Sequence, residues 1–397
     1  MERYGRMRKK TKKYTKIVIT ISVMVFFVLT VIIFLRANIS NPKTDSSVTW
    51  SEKIPIRKMK LDYAKEFSIE YYEEGYTLIK IGDTDKFLMI PENKEIPQGL
   101  DKEVVPIYQP LSNIYLCATA SMNMFVELDA LDTIRLSGTK KDGWYIPAAK
   151  EAMEKGYILY AGKYNAPDYE SILNNNCQLA IESQMIYHTP EVKEELEEFG
   201  IPVLVDYSSK EEEPLGRAEW VKLYGTLTGK EELAEQLFQE QKKAFESVIE
   251  GENTGKTVAF FYITSNGLAS VRKPSDYVVK LIQYAGGRYI LEDCEEEENG
   301  ISTMNMQLEE FYAKAKDADY IIYNSTIGGE LESMEQLINQ SELLADFRAV
   351  KNHNVWCIHK NLYQESMQMG SLAKDIHLML NKKGVKNEDF TFLYKVE

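Results

Sequence analysis

Two pairs of acidic residues have a spacing that could support acid–base chemistry. Asp83 and Asp85 lie two positions apart, as do Asp317 and Asp319, and paired carboxylates can divide general acid and general base roles between them. The first pair lies in a turn-forming sequence, however, and the second flanks a predicted strand. The sequence contains none of the G-x-S-x-G, H-E-x-x-H, Walker or G-x-G-x-x-G motifs of common enzymes. We therefore predict that the chain is not an enzyme, with an extracellular hydrolase as the remaining enzymatic alternative.

The four cysteines carry reactive sulfur but lack metal-binding spacing. Cys117, Cys177, Cys294 and Cys357 lie far apart, and no C-x-x-C pair or zinc-type His spacing accompanies them. They would allow three disulfide pairings, yet all except Cys294 lie in or beside apolar segments, which favours reduced, buried thiols. We predict no metal site and no cofactor.

Charge is distributed unevenly along the chain. Of 397 residues, 47 are Lys or Arg and 61 are Asp or Glu, which gives a net charge of −14. Nine of the basic residues and one acidic residue occur by position 36, leaving 38 basic and 60 acidic residues, a net charge of −22, in the remainder. An acidic surface repels phosphate backbones, so we exclude nucleic acid as a partner.

An uninterrupted apolar run covers residues 17–35. A helix rising about 1.5 Å per residue over that length crosses a bilayer core. Eight basic residues precede the run and only Arg36 follows it, so the positive-inside rule places residues 1–16 in the cytoplasm and the acidic remainder outside. The alternative is a cleavable signal peptide, whose apolar region is usually shorter. No Cys precedes Cys117, so a lipoprotein-type lipidation site is not expected.

These features predict a single-pass protein of the cell membrane. Its segments are a basic cytoplasmic head at 1–16, a transmembrane anchor at 17–36 and a polar stalk at 37–56. Three short alternating segments between residues 61 and 91 then predict three strands joined by turns.

Strands and helices alternate from about residue 104 onward. Such alternation is typical of mainly parallel sheets that are covered by helices on both faces. A long helical stretch, interrupted near Gly229, separates this region from a second one of the same style. We predict an α/β fold with an N-terminal lobe at 57–228, a bridging helix at 229–251 and a C-terminal lobe at 252–397. Small ligands bind preferentially in the cleft between such lobes.

Several segments, in order, resemble the substrate-binding proteins of ABC importers for iron–siderophore complexes and cobalamin, the class III periplasmic binding proteins. They lie within roughly residues 100 to 380 and read DYESILNNNCQLAIES, PEVKEELEEFGIPVLV, EPLGRAEWVKLYG, TGKTVAFFYI, VVKLIQYAGG and LEEFYAKAKDADYIIYNST. The resemblance implies two Rossmann-like lobes bridged by one rigid helix. It also implies that the cleft binds an iron or cobalt chelate, such as a ferric siderophore, haem or cobalamin.

The resemblance further implies contacts with a permease. One glutamate on each lobe of the family's members docks into arginine pockets of that partner. The matching positions here are Glu170 in the first lobe and Glu309 or Glu310 in the second. Exposed carboxylates form bidentate, charge-assisted pairs with arginine, which suits this role. Acidic residues are also preferred at the start of any helix, so a local structural role is the alternative.

Aromatic residues are the first group of ligand-binding candidates that the resemblance implies. Trp144 and Tyr145 follow a strand of the first lobe, and Tyr164 matches a position where the cobalamin-binding member places an aromatic residue. Aromatic faces suit a planar or catechol-bearing chelate. For Trp144, a position covering its own lobe is an equal alternative.

A second group could ligate, hydrogen-bond or attract the chelate. Tyr187 and His188 follow another strand of the first lobe, and Tyr363 is their counterpart in the second. Basic residues near predicted strand ends would attract an anionic chelate. They are Lys140, Lys141, Lys163, Arg217, Arg272 and Lys360.

The sequence thus predicts a membrane-anchored extracellular solute-binding protein with an ABC permease, its ATPase and a metal chelate as partners. It departs from the usual pattern of the family by lacking an N-terminal lipid-anchored Cys and by carrying strands before residue 100. These departures are compatible with transport. The alternative is a tethered ligand sensor without a transport role.

Overall fold

The computed structural model describes residues 49–249, 253–295, 302–382 and 384–397. The predicted head and transmembrane anchor, with most of the stalk, lie outside these residues. None of the helices in the described ranges combines the length and the apolar character needed to cross a membrane. Residues 49–53 and Pro97–Gly99 form one compact unit, in which the Trp50 amide donates to the Gln98 carbonyl at 2.8 Å. A second compact unit contains all the elements below.

An N-terminal sheet precedes the predicted α/β region. Its strands lie in chain order and are β1 (Arg57–Lys58), β2 (Phe67–Tyr71), β3 (Thr77–Ile81), β4 (Asp85–Ile90) and β5 (Val104–Tyr108). Neighbours are antiparallel except β4 and β5, which are parallel. Alternate residues such as Phe67, Ile69 and Ile79 are buried in one core, as the period of two requires. The three strands predicted between residues 61 and 91 are confirmed as β2, β3 and β4.

A parallel sheet follows, and we call residues 109–210, which contain it, the parallel half. Its strands are β6 (Ile114–Leu116), β7 (Ile134–Ser137), β8 (Leu159–Tyr160), β11 (Leu179–Ser183) and β12 (Val203–Asp206). Between β8 and β11, the strands β9 (Gly162–Lys163) and β10 (Ala166–Pro167) form a separate short hairpin. The order is β12-β11-β6-β7-β8, with all neighbours parallel. The helices of this half are α1 (Met122–Glu127), α2 (Pro147–Glu154), α3 (Tyr169–Asn174) and α4 (Pro190–Glu198).

Both faces of the parallel sheet are buried, which explains its nearly continuous apolar strands. On β11, Ile181 belongs to the large core and Ala180 to a smaller one. Residues 119–133 do not form one continuous helix. A 3₁₀ turn at Thr119–Ser121 leads into α1, and after α1 Asp129 adopts a left-handed conformation with φ of 50°, which no continuous α-helix accommodates. A second 3₁₀ turn follows at Leu131–Thr133.

Three helices then follow, namely α5 (Pro214–Glu219), α6 (Val221–Thr228) and α7 (Glu231–Ile249). Gly229 ends α6 with φ of 70°, a left-handed conformation that costs glycine little. The predicted interruption near Gly229 is therefore confirmed. The predicted lobe boundaries, and the role of α7 as a bridge between lobes, stay predictions.

The C-terminal half, residues 253–397, contains a mixed sheet. In the described residues its strands are β13 (Thr257–Ile263), β14 (Ala269–Arg272), β15 (Arg288–Tyr289), β16 (Thr303–Met306), β17 (Tyr320–Tyr323), β18 (Val355–Ile358) and β19 (Leu393–Lys395). The order is β16-β14-β13-β17-β18-β19, and β15 also pairs with β13. The helices are α8 (Tyr277–Tyr284), α9 (Leu308–Ala315), α10 (Ser325–Gly328), α11 (Met334–Ile338), α12 (Arg348–Lys351) and α13 (Met369–Asn381).

This second sheet is less parallel than the sequence predicted. β13, β17 and β18 are parallel, whereas β14, β16 and β19 are antiparallel to their neighbours. A tight turn at residues 264–268 joins β13 to β14, and so short a connection permits only antiparallel pairing. Within the C-terminal half, α13 packs against α8, and it also packs against α7.

Two buried carboxylates attach the segment after β1 to the following helices. Glu219 of α5 accepts the backbone N–H groups of residues 62–64 at 2.7 to 2.9 Å. Glu211 accepts those of residues 65–66 at 3.0 Å, together with the indole N–H of Trp220. These bonds join the segment between β1 and β2 to the helices, and they satisfy two carboxylates that are themselves buried.

Candidate ligand-binding site

A pocket of about 390 Å³ opens at the carboxyl ends of β6, β7, β8 and β11. Parallel strands bring the residues that follow each strand to a single edge of the sheet, where ligands of open α/β sheets bind. The lining residues come from these strand ends and from the loops behind them. They are Cys117, Thr119, Gly138, Thr139, Lys140, Gly143, Tyr160, Lys163, Tyr164, Ser183 and Met185.

Glycines allow the pocket wall to form. A Cβ atom on Gly138 would lie only 2.4 Å from Sγ of Cys117, so the two strand ends can approach each other only without that side chain. Gly162 has φ of 85° and lies against the Ala166 carbonyl in the β9–β10 hairpin. The hairpin places Lys163 and Tyr164 at the pocket.

The pocket combines positive charge with aromatic surface. Lys140 and Lys163 are exposed, and Nζ of Lys140 lies 5.4 Å from the centre of the Tyr160 ring. Tyr164 adds a second, partly exposed ring. Ammonium groups attract anions, and aromatic faces bind flat or apolar groups. The arrangement suits an anionic ligand that has an aromatic or apolar body.

A buried carboxyl group lies behind the pocket wall. Glu182 on β11 is fully buried, and neither of its carboxylate oxygens has a hydrogen-bond partner among the described residues. The strand register places it beside Cys117, whose thiol partly offsets the effect of burial on the pKa of the carboxyl group. Burial raises the pKa of Glu182 to about 8, and burial also raises the pKa of the Cys117 thiol. Glu182 therefore holds its proton more tightly than an exposed glutamate does.

Two tyrosines from different halves of the molecule meet near the pocket. Tyr145 of the parallel half and Tyr363 of the C-terminal half have ring centres 6.3 Å apart at an interplanar angle of 74°. Their exposed fractions are 37% and 40%, so part of each ring faces solvent. Tyr145 lies two residues after Gly143 of the pocket lining.

A family profile decides the class of the protein. The profile described as periplasmic binding protein matches residues 118–362, which is more than half of the chain. The chain belongs to the periplasmic binding protein family. The match contains all of the pocket lining except Cys117. Because this is a family of binding proteins, the predicted family resemblance and the prediction that the chain is not an enzyme are both confirmed.

Similar sequences cover almost the whole chain. An uncharacterised lipoprotein of Methanocaldococcus jannaschii is 25% identical in an alignment of 386 positions that covers 90% of this chain and 90% of the relative. A second lipoprotein of that organism is 22% identical in an alignment of 350 positions that covers 84% of this chain and 86% of the relative.

Solved structures share the fold at lower identity. A haem-binding periplasmic protein of Vibrio cholerae superposes with a TM-score of 0.56 and 16% identity, covering 69% of this chain and all of the other. A possible iron-binding solute-binding protein of Staphylococcus epidermidis gives 0.53 and 16%, covering 68% and 99%. A protein of an Fe³⁺-hydroxamate transport system of Saccharomonospora viridis gives 0.54 and 17%, covering 69% and 94%. These likenesses show the periplasmic binding protein fold with its mixed α/β character.

The predicted aromatic residues are divided between the pocket, its surroundings and the core of this periplasmic binding protein. Tyr164 lines the pocket, and Tyr145 and Tyr363 form the pair beside it. Trp144 is fully buried, and its indole N–H donates to Oγ of Ser137 at 3.2 Å. This position agrees with the alternative prediction, in which Trp144 covers its own lobe.

Tyr187 and His188 end a 3₁₀ turn that follows β11, and neither lines the pocket. The hydroxyl of Tyr187 lies 2.6 Å from that of Tyr207, and His188 is exposed. The 3₁₀ turn at Gln184–His188 leads away from the strand end, so only Ser183 and Met185 of this region reach the pocket. Sequence spacing alone could not show this change of direction.

The predicted arginines also lie outside the pocket lining. The guanidinium of Arg217 on α5 stacks over the Tyr277 ring of α8 at 4.1 Å, and its buried Nε has no hydrogen-bond partner in the described residues. Arg272 ends β14, and its Nη1 lies 3.6 Å from a carboxylate oxygen of Asp276. Whether either contacts a ligand stays a prediction.

The predicted docking glutamates occupy matching positions on two helices. Glu170 lies in the first turn of α3, and Glu309 and Glu310 lie in the first turn of α9. All three are exposed, and only the long 4.0 Å contact of Glu310 with Lys314 ties one of them to a described cation. Their role at a permease stays a prediction.

Most residues of the site were not predicted from the sequence, and four of them illustrate why. Cys117, Tyr160 and Met185 line the pocket, and Gln364 is fully buried beside it. Cys117, Tyr160 and Met185 lie at or just after strand ends, and that position could have indicated that they line the pocket. Gln364 gave none, because a glutamine in a polar segment is usually exposed.

Proposed function

We propose that this periplasmic binding protein captures an anionic iron chelate, a ferric siderophore or haem, for an ABC importer. The observation that carries the proposal is the pocket at the strand ends, where Lys140 and Lys163 stand beside Tyr160 and Tyr164. Lysines would neutralise the acidic groups of the chelate, and the rings would cover its flat or aromatic parts. The names of the structurally similar proteins, which refer to iron, haem and ferric hydroxamate, support this ligand class.

The proposal includes delivery from the outer face of the membrane. Relatives that cover most of the chain are named lipoproteins, which supports an extracellular protein attached to a membrane. In this chain the apolar run at 17–35 would provide the attachment. A permease and its ATPase would receive the chelate, with Glu170 on one side and Glu309 or Glu310 on the other as the docking contacts.

Fluorescence titration of the full chain in detergent tests the ligand class. The ligands would be a ferric hydroxamate, a ferric catecholate, haem and cobalamin, with each iron-free siderophore as a matched control. Trp144 lies directly after the pocket residue Gly143, so a bound chromophore should quench its emission by energy transfer. We expect saturable quenching by one iron chelate with a Kd below about 1 μM, equivalent to about 8 kcal/mol.

Two outcomes would contradict the proposal. Binding of cobalamin alone would replace iron with cobalt as the cargo. Absence of saturable quenching by all four ligands would remove the metal-chelate function and favour a tethered sensor of another small molecule.

A further inference from the structure

We infer that Gln364 is a positioning residue whose amide joins the two halves of the molecule and holds Tyr145 and Tyr363 as a preformed pair at the ligand site. This inference rests on the proposed function for the role of the tyrosine pair in binding. The junction itself rests on geometry alone.

The Gln364 amide uses both of its N–H donors and accepts one hydrogen bond at its oxygen. Oε1 accepts the backbone N–H of Tyr145 at 2.7 Å. Nε2 donates to the carbonyl of Gly143 at 2.8 Å and to the hydroxyl of Tyr363 at 3.0 Å. The side chain is fully buried, so water does not compete for these groups. The Gln364 side chain therefore links the main chain of the parallel half to the Tyr363 hydroxyl of the C-terminal half.

The chemistry of the contact specifies an amide. The Tyr145 N–H requires an acceptor, and the Gly143 carbonyl requires a donor, which fixes which end of the amide is oxygen. An ionised carboxylate would supply two acceptors and leave the Gly143 carbonyl facing negative charge. An apolar side chain would leave the Tyr145 N–H and the Gly143 carbonyl buried without partners.

A second hydrogen bond crosses between the same halves. Oγ of Ser366 donates to the carbonyl of Ala120 at 2.7 Å. Ala120 directly follows Thr119, and Gly143 is itself part of the lining, so both crossings end on loops that form the pocket wall. The 3₁₀ turn at Lys360–Gln364 and the residues after it are thereby fixed relative to the pocket.

The consequence for binding is preorganisation. Tyr145 and Tyr363 stand edge to face with part of each ring exposed, and Gln364 bonds both residues. A ligand that contacts the pair does not have to order these side chains or bring the halves together, which lowers the entropic cost of binding. Loss of the amide should accelerate dissociation more than it slows association.

The junction is tested on the full chain without ligand. Gln364→Ala should abolish the hydrogen-exchange protection of the Tyr145 amide. The matched control is Gln368→Ala, because Oε1 of Gln368 accepts the Ser371 hydroxyl within the C-terminal half; this variant should leave the Tyr145 amide protected. Retained protection in Gln364→Ala would overturn the junction.

The positioning role is tested with the iron chelate that quenches the wild-type chain most tightly. Gln364→Ala should weaken its Kd about tenfold, mainly through the dissociation rate, whereas Gln368→Ala should change it less than twofold. Gln364→Glu should bind like the wild type at pH 5, where a buried carboxyl stays protonated and can still donate. As the pH rises and the carboxyl ionises, the affinity of Gln364→Glu should fall below that of the wild type measured at the same pH.

The remaining outcomes are distinguishable. A Gln364→Ala variant that loses Tyr145 protection but keeps its affinity would overturn the positioning role. If Gln364 has a merely structural role, lowering the pH should not restore the affinity of Gln364→Glu. An equal loss of affinity at pH 5 and pH 8 would therefore also overturn the positioning role. If the wild type binds no chelate, the proposed function fails together with the positioning role, while the exchange data still decide the junction.

Discussion

The carboxylate of Glu219 lies 3.0 Å from the ammonium group of Lys222, with the two side chains only 0% and 4% exposed. Lys222 also contacts the carboxylate of Glu235 at 2.9 Å, but the Glu235 side chain is 53% exposed. One lysine thus has a buried partner and a solvated partner. The buried partner simultaneously accepts the N–H groups of residues 62–64.

Removal of the buried carboxylate should destabilise the fold strongly. Glu219→Ala leaves buried N–H groups unpaired and removes the buried partner of Lys222, so the free energy of unfolding should fall by about 3 to 5 kcal/mol. Glu235→Ala is the matched control and should cost less than about 1 kcal/mol, since its carboxylate is largely solvated. Urea denaturation at pH 7 measures both variants. Equal losses would show that burial does not decide the strength of this contact.

The buried Glu182 should make stability depend on pH. Its pKa is raised from 4.5 to about 8 in the folded chain because burial disfavours the carboxylate. The folded state then holds the proton more tightly, so stability is greatest below the unfolded pKa and falls as pH rises towards the folded pKa. The fall is about 1.4 kcal/mol for each pH unit between the two values.

Glu182→Gln tests this dependence because an amide cannot ionise. Urea denaturation at pH 5, 7 and 9 should show a smaller decline in the variant than in the wild type. Glu194→Gln, at an exposed position on α4, serves as control and should leave the wild-type pH dependence in place. The wild-type stability minus that of Glu182→Gln at each pH isolates the contribution of Glu182. A difference that rises between pH 5 and 8 would contradict the raised pKa.

The lysines at the pocket should control affinity for an anionic chelate. Lys140→Met with Lys163→Met removes two positive charges from the lining, so we expect the Kd to weaken at least tenfold, with less sensitivity to added salt. Lys155→Met, which removes a lysine paired with Glu151 outside the pocket, should have no effect. Titration at two salt concentrations measures this. An unchanged salt dependence in the double variant would place the anion elsewhere.

The exposed glutamates on α3 and α9 should affect delivery and leave capture unchanged. Glu170→Ala combined with Glu309→Ala and Glu310→Ala removes the carboxylates that would pair with permease arginines. Cellular uptake of the radiolabelled iron chelate should be abolished, while the Kd of the purified chain stays the same. Alanine at Glu194 and Glu198, both exposed on α4, is the control for a general loss of acidic surface. Normal uptake by the triple variant would remove the docking assignment.

Much of the fold was predictable wherever the apolar pattern was long enough to show its period. The apolar run TVAFFYI forms β13 (Thr257–Ile263), and the periodic segment YVVKLIQY forms α8 (Tyr277–Tyr284). By contrast, β6 has three residues and β14 four, which is too short for a period to be distinguished from chance. The break at Asp129 was not predictable either, because an apolar pattern does not show which single residue adopts a left-handed conformation.

The site was predictable in its location more than in its contacts. Parallel strands deliver their ends to one edge, so Lys140, Lys163 and Tyr164 could be anticipated as neighbours. The burial of Glu182 and Gln364 could not, since both residue types are usually exposed. The partner that gives Gln364 its role, Tyr145, is 219 positions away in the chain, and no local pattern joins the two.

The attachment of the N-terminal sheet also determines how the protein would respond to mechanical load. A pull on the chain ahead of residue 49 reaches β1 first among the described strands, and β1 pairs with β2 over only two residues. Behind it, five backbone N–H groups of residues 62–66 are bonded to Glu211 and Glu219. Two paired residues resist such a load less than five bonded N–H groups do, so we expect β1 to separate from β2 before residues 62–66 separate from Glu211 and Glu219.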